Sequence, residues 1–289
     1  MSKLHFIAHR IRAGIRDEGG LIPAAAKAIG LLLDGGVSGL LLGDAYVPGR
    51  SYADWVSLED SLDDGDRERA RHELSEAEHL PKISILLPTY ETDLAQLKAA
   101  VDSVQRQIYP NWELCIADDA SQSPDLSAYL TSLKGHAKVK VTVREQNGHI
   151  SACSNTALSM ATGSWVVLLD HDDQLSEDAL LEIYRVVSLN PRVRMIYSDE
   201  DKLDRKGRRC RPYFKPQFNL ELLRGNNYIC HLACYRREEL LELGGFRLGF
   251  EGAQDHDLAL RYCERLPRDE VYRIPKVLYH WREHAGSTS

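Results

Sequence analysis

From Lys82 onward, short apolar runs alternate with segments whose apolar residues recur at helical spacing. Ile83-Ser84-Ile85-Leu86-Leu87 predicts a strand stopped by Pro88, and Leu94, Leu97, Val101 and Val104 mark the helix that follows. Trp112–Ala117 predicts a second strand, Asp125–Leu133 a helix, Val139–Val143 an alternating strand and Ser151–Ala161 another helix. Trp165–Leu169 is a further strand; Leu180, Ile183, Tyr184 and Val187 give the next helix, and Met195-Ile196-Tyr197 the next strand. Strict βαβα alternation predicts a mostly parallel sheet with helices on both faces. The later part is less regular. Arg205–Arg211 reads as a basic loop, Tyr228–Tyr235 as a strand, Arg237–Leu243 and Gln254–Arg265 as helices, and Val271–Ile274 and Val277–Tyr279 as short strands.

Trp165-Val166-Val167-Leu168-Leu169 runs straight into Asp170-His171-Asp172-Asp173. The apolar part suits a buried parallel strand. Three carboxylates cannot follow it unpaired into the core, so they belong at the strand's exit. In open α/β sheets that carboxyl edge is where ligands bind. Clustered carboxylates there suit a hard divalent cation holding phosphates. A helix cap with dipole-complementing acids explains one such cluster equally well. Acids also follow the strands ending near Ala117 (Asp118, Asp119) and Tyr197 (Asp199, Glu200, Asp201). If these strands are parallel, all three clusters share one edge, which a common nucleotide and metal site explains better than solvated strand ends. No GxxxxGK[ST] loop and no GxGxxG after the first strand is present, which excludes P-loop kinases and Rossmann dehydrogenases.

Two further segments carry candidate chemistry. Asp255 opens a predicted helix at a glycine-rich break, where it either complements the helix dipole or serves as a general base. His280 ends a short strand and is followed by Trp281, Arg282 and a second histidine, a setting for a metal ligand and for an arginine paired with phosphate.

The hydrophobic share of 43% over 289 residues supports a sizeable core, and the net charge of -7 argues against a general nucleic-acid binder. The six cysteines are scattered without a CxxC pair, which reads as a reducing compartment with no disulfide framework. Met1–Arg16 is polar and basic, without the apolar segment of a secretory leader. Leu21–Leu42 is apolar but broken by Asp34 and by glycines, among them Gly30, Gly35 and Gly36, a poor membrane span. It reads as a helix that packs, or that touches a membrane or a partner. A charged helical segment, Asp63–Glu78, ends before Pro81. The expected division is therefore a helical extension, 1–80, and an α/β domain, 81–289.

Lys82–Ser289 resembles the inverting family 2 glycosyltransferases with the GT-A fold. The likeness rests on Ile83–Tyr90, Trp112–Ser121, Asn147–Asn155, Leu168–Asp173, Ser198–Lys202 and Gly252–Arg261. Ser198-Asp199-Glu200-Asp201-Lys202, Asn227-Tyr228-Ile229-Cys230-His231 and Tyr279-His280-Trp281-Arg282 give it the flavour of bacterial transferases of O-antigen and rhamnose-rich polysaccharides. The resemblance implies that Pro88, Tyr90, Glu91 and Asp119 contact the nucleotide base. Ile150, within the Gly148–Ser151 loop, lines the nucleotide side. Asp170 lies nearer the ribose, and Asp172 and His280 hold the metal, with Asp170 and Asp173 as alternative ligands. Asp255 is the catalytic base. Asp199, Glu200, His231, Gln254, Trp281 and Arg282 are candidate acceptor or phosphate contacts. Gln254 stands where the family commonly has Glu, and Glu91 where it has Asn.

The implied reaction moves a sugar from a UDP-, dTDP- or GDP-linked donor, with Mn²⁺ or Mg²⁺, to a hydroxyl of a glycan or lipid-linked oligosaccharide. Rhamnose is the sugar that the flavour favours, and the expected place is the cytoplasm, extending to the inner face of the membrane. Two rivals from other classes are a sugar nucleotidyltransferase, which would release pyrophosphate, and a non-catalytic glycan-binding domain.

Overall fold

The computed structural model describes residues 51–283. The expectations for the basic start, Leu21–Leu42, the loop up to Arg50 and the tail beyond Glu283 lie outside them. Two compact units divide between Glu59 and Asp60. The first contributes one described helix, α1 (Tyr52–Glu59), with no buried residue.

The second unit begins with α2 (Asp64–Ser75), β1 (Ile83–Thr89), α3 (Leu94–Gln105), β2 (Trp112–Asp118), α4 (Pro124–Leu133), β3 (Val139–Val143), α5 (His149–Met160) and β4 (Trp165–Leu168). There follow β5 (Gln174–Leu175), α6 (Ala179–Leu189), β6 (Met195–Leu203), β7 (Arg209–Tyr213), α7 (Leu220–Gly225), β8 (Ala233–Arg236), α8 (Arg237–Glu242), α9 (Gln254–Cys263) and β9 (Val271–Arg282). One nine-stranded sheet runs β3-β2-β1-β4-β8-β6-β9-β5, with β7 paired to β6. β1 to β4 are mutually parallel where they pair, and β6 runs parallel to β9. β8 is antiparallel to both β4 and β6.

Side chains alternate across each strand and build a core on either face. Ile83, Ile85, Leu87, Leu114, Ile116 and Val167 pack with α2, α3, α4 and α6 on one side. Leu86, Cys115, Ala117, Val166, Met195 and Tyr197 pack with α5, α7, α8 and α9 on the other. Cover on both faces is why β1 and β2 are buried along their whole length. α2 joins this unit: Ala70 and Leu74 are buried in the first core, and Arg67 and Arg185 tie it down through Glu177 and Glu73. No helix among the described residues is long and apolar enough to cross a membrane.

Four expectations need correction. β6 does not stop at Tyr197 but continues through the acids to Leu203. Asp199 and Asp201 are buried in the strand because each has a cationic partner, Arg273 for Asp199 and Arg209 for Asp201, and Asp201 also meets the His280 ring. Only two acid clusters therefore sit at strand exits. The basic stretch Arg205–Arg211 is the turn of a β6–β7 hairpin and the first part of β7, closed where Asp204 accepts hydrogen bonds from the Lys206 and Arg208 amides. The final two short strands are one, β9, whose register shifts around Pro275 and Lys276; a bulge accommodates a residue that cannot donate to the ladder. Tyr228–His231 is irregular backbone, and only Ala233–Arg236 forms β8.

Candidate active site

The site is built at the carboxyl edge of β1, β2 and β4. Thr89 pairs with Asp118 at the ends of β1 and β2, and Leu86 pairs with Leu168, the last residue of β4. Beyond β1, Tyr90 is 50% exposed while Pro88 is buried within the strand. The Glu91 amide donates to Ser121 Oγ at 2.8 Å, and the Glu91 carboxylate accepts from the Gln122 amide at 2.6 Å. The two strand-exit loops are thereby zipped together. Thr89 Oγ1 is buried at this edge without a hydrogen-bond partner among the described residues. Asp119 is buried, ion-paired with Arg144 and reached by the Gly148 amide at 3.1 Å. Ile150 lies half-buried in the first turn of α5.

The second acid cluster meets a partner that β8 supplies. Because β8 runs antiparallel to β4, with Val167 opposite Cys234, the chain entering β8 lies beside the chain leaving β4. His231 Nε2 thus stands 3.6 Å from Asp170 Oδ2. One ligand atom each from Asp170, Asp173 and His231 lies within 4.8 Å of the others, a set of two oxygens and an imidazole that fits a divalent cation. Tyr279 braces the group. Its ring stacks on His231 at 4.6 Å, its hydroxyl donates to Asp173 Oδ2 at 2.7 Å, and its oxygen accepts from the Asp170 amide at 3.2 Å. Burial drives the Asp173 carboxyl well above the usual carboxylate range, and the neighbouring Asp170 charge adds to it. A cation bound there would reverse that pressure. Asp172 stands beside the set with its carboxylate 3.9 Å from His171 Nδ1.

His280 is not brought to this group. Successive residues of a strand face opposite sides, and while Tyr279 faces Asp173, His280 Nδ1 lies 2.6 Å from Asp201 Oδ1. Arg282 reaches the acids through its backbone amide on Asp173, at 2.7 Å, and its Nε on the Asp172 carbonyl, at 2.9 Å. Trp281 lies under Lys202, and Asp199 is held by Arg273. Gln254 accepts from the Gly252 amide at 2.7 Å.

Asp255 enters from α9. Its Oδ2 accepts from Asn227 Nδ2 at 2.8 Å and lies 3.7 Å from Cys230 Sγ. The segment 227–231 therefore touches Asp255 at one end and Asp170 at the other. Glu200 joins from β6, where its carboxylate accepts from the His231 amide at 3.3 Å. Arg144, Asn227 and Tyr279 complete the site; Asn227 and Tyr279 stand in motifs that carry the resemblance, but the sequence assigns none of the three a role. Arg144 had a legible signal of its own, a cation just after a strand that ends at the same edge.

Residues 84–244, more than half of the chain, match glycosyl transferase family 2. The chain belongs to this family. It is 45% identical over 210 residues to an uncharacterised protein of Sinorhizobium fredii, covering 72% of this chain and 23% of that protein. It is 35% identical over 210 residues to the O-antigen biosynthesis protein RfbC of Myxococcus xanthus, covering 72% and 16%. The chain thus spans less than a quarter of the length of either relative. Among solved structures, S. aureus TarS in complex with UDP-GlcNAc superposes with a TM-score of 0.61 at 20% identity, over 71% of this chain and 60% of that one. The mannosyltransferase PcManGT of Pyrobaculum calidifontis, in complex with GDP-Man and Mn²⁺, gives 0.53 at 22% identity, over 74% and 62%. The mixed α/β sheet with its surrounding helices is the GT-A fold.

Proposed function

We propose that this family 2 domain transfers a sugar, with inversion, from a nucleoside-diphosphate donor to a hydroxyl of a growing cell-surface glycan. One observation carries the reading: a single segment, 227–231, joins a candidate base, Asp255, to the acid–imidazole set at the strand exits. An inverting displacement requires a base on the acceptor side and stabilised charge on the leaving-group side, and no covalent nucleophile. Asn227 and Cys230 both contact Asp255 Oδ2, so Oδ1 is the oxygen available to take the acceptor's proton. Asp170, Asp173 and His231 would hold a divalent cation, with Asp172 beside them. Bound there, the cation supplies Lewis-acid stabilisation of the departing diphosphate. Tyr90, Glu91, Asp119 and Ile150 line the expected nucleotide end. The neighbours solved with UDP-GlcNAc and with GDP-Man and Mn²⁺ support the donor class, and RfbC supports a surface polysaccharide as product. A rhamnosyl donor is the first to test.

The experiment is an assay of UDP-, dTDP- and GDP-sugars with glycan acceptors, with and without Mn²⁺. Release of nucleoside diphosphate with a glycosylated product is the expected result, while pyrophosphate would identify a nucleotidyltransferase. Asp255→Asn should lower turnover about 10²–10⁴-fold, the typical contribution of a general base, with donor binding kept. Near-normal turnover of that variant would remove Asp255 from the base role.

A further inference from the structure

We infer that Lys215 is the positioning residue of the site: it anchors the 227–231 segment and so sets Asp255 and His231 relative to each other. The inference rests on the glycosyltransferase reading for its consequence, though not for its geometry.

Lys215 follows β7, and its side chain is fully buried. A buried ammonium needs partners for its charge and its three hydrogens. Nζ donates to the Ile229 carbonyl at 2.7 Å and to the His231 carbonyl, and it pairs with Glu200 Oε2 at 2.9 Å. Glu200 closes the loop by accepting from the His231 amide at 3.3 Å. The pair therefore grips His231 through both its amide and its carbonyl. Lys215 is itself fixed, since its amide donates to Asp199 Oδ1 at 2.8 Å and Asp199 is locked by Arg273 at 2.6 Å. A rigid chain thus runs from β9 through Asp199 and Lys215 to Ile229 and His231.

The gripped segment has side-chain packing, with Tyr228 and Ile229 buried in the second core, but no ladder or helix hydrogen bonds to fix its backbone. Residues 227–231 belong to no helix or strand, and Cys230 has a φ of 33°. Within this stretch sit Asn227 and Cys230, which touch Asp255, and His231, which touches Asp170. Misplacing a reacting group by about 1 Å can cost about 10²-fold in rate, and outer-shell partners of metal ligands are worth about 10–100-fold in metal affinity. Lys215 acts on both poles through one segment.

The test compares K215R, K215M and K215M/E200Q with the wild type. The double variant removes both charges and keeps an acceptor for the His231 amide, so it avoids stranding a buried carboxylate. Circular dichroism first establishes folding. In the folded double variant, hydrogen exchange at the 228–231 amides should rise about tenfold or more with exchange in β1 and β2 unchanged. Mn²⁺ affinity, measured by calorimetry, should fall about tenfold, and kcat should fall about 10²-fold with a smaller change in donor KM. K215R, which restores a buried cation, should recover part of each loss. Unchanged exchange at 228–231 would overturn the inference, as would raised exchange with Mn²⁺ affinity and kcat within twofold of wild type. If the wild type transfers no sugar, the proposed function fails, while exchange and Mn²⁺ affinity still decide the role of Lys215.

Discussion

Replacing Glu113 with Gln should cost stability in a pH-dependent way while leaving catalysis intact. Glu113 sits on β2 with its side chain 5% exposed. Its carboxylate accepts from Ser84 Oγ at 2.7 Å, from the Thr162 amide at 2.6 Å and from the Gly163 amide at 3.2 Å, and it pairs with Lys140 at 2.9 Å. It thereby clips the end of α5 and the approach to β4 onto β1 and β2. Burial alone would push its carboxyl up, but Lys140, Ser84 and Thr162 outweigh burial and hold it at about 2, against an ordinary value of 4.5. At about 1.36 kcal/mol per tenfold, that gap contributes about 3 kcal/mol at pH 7. The folded-state pKa is depressed, so the contribution is complete above about pH 4.5 and is lost as pH falls toward 2. At pH 3.5 the two values leave about 2 kcal/mol. Urea melts of E113Q and wild type should therefore differ by about 3 kcal/mol at pH 7 and by about 2 kcal/mol at pH 3.5, with equal m-values. The clip lies at the amino edge of the sheet, opposite the site, so kcat measured well below the melting point should stay within about twofold. A gap under about 1 kcal/mol at pH 7, or one that does not narrow in acid, would refute the reasoning.

Two further outcomes test the site. Arg144→Met leaves the buried Asp119 carboxylate without its cation; removing one partner of a buried pair costs about 3–5 kcal/mol, so the melting temperature in a thermal scan should drop by roughly 10 °C. His231→Ala should weaken Mn²⁺ binding at least about tenfold, since even outer-shell changes cost that much, whereas His280→Ala should not; the reverse order in a calorimetric titration would return the ligand role to His280.

The parallel half of the fold was legible because its strands are buried on both faces and read as mostly apolar runs, each with at most one polar residue: Ile83–Leu87, Trp112–Ala117 and Trp165–Leu168 all appear as strands in the structure. β6 was misread because a buried acid looks the same in sequence as a solvated one. What keeps Asp199 and Asp201 in the strand is Arg273 and His280, more than seventy residues downstream, together with Arg209, which reaches Asp201 only once β7 folds back on β6. The β6–β7 hairpin was hidden by β7 itself, whose mostly half-exposed Arg209–Tyr213 carries too little apolar patterning to separate strand from loop. At the candidate site, Asp119, Asp170 and Asp255 are the residues that strand exits and a helix start single out. Asn227 and Tyr279 stand in motifs of the resemblance without a role and Lys215 in none, because what each contributes is a tertiary contact that no local spacing shows.

Strand direction explains why the two poles of the site had to come from unrelated stretches of sequence. A parallel neighbour to β4 would deliver its carboxyl end, and with it another strand-to-helix turn, to the edge where Asp170 emerges. β8 is antiparallel, so it delivers the chain that precedes it. That chain need not start a helix, which frees 227–231 to adopt an irregular path with one residue aimed at α9 and another at the acids. Irregular backbone at a buried edge must find partners for its amides and carbonyls, and Lys215 and Glu200 provide them from β6 and the segment after β7. Periodicity reports whether a segment is a strand but not which way it runs. The meeting of Asp170 with His231, and through the same segment with Asp255, therefore depends on the one sheet property that the pattern of apolar residues leaves open.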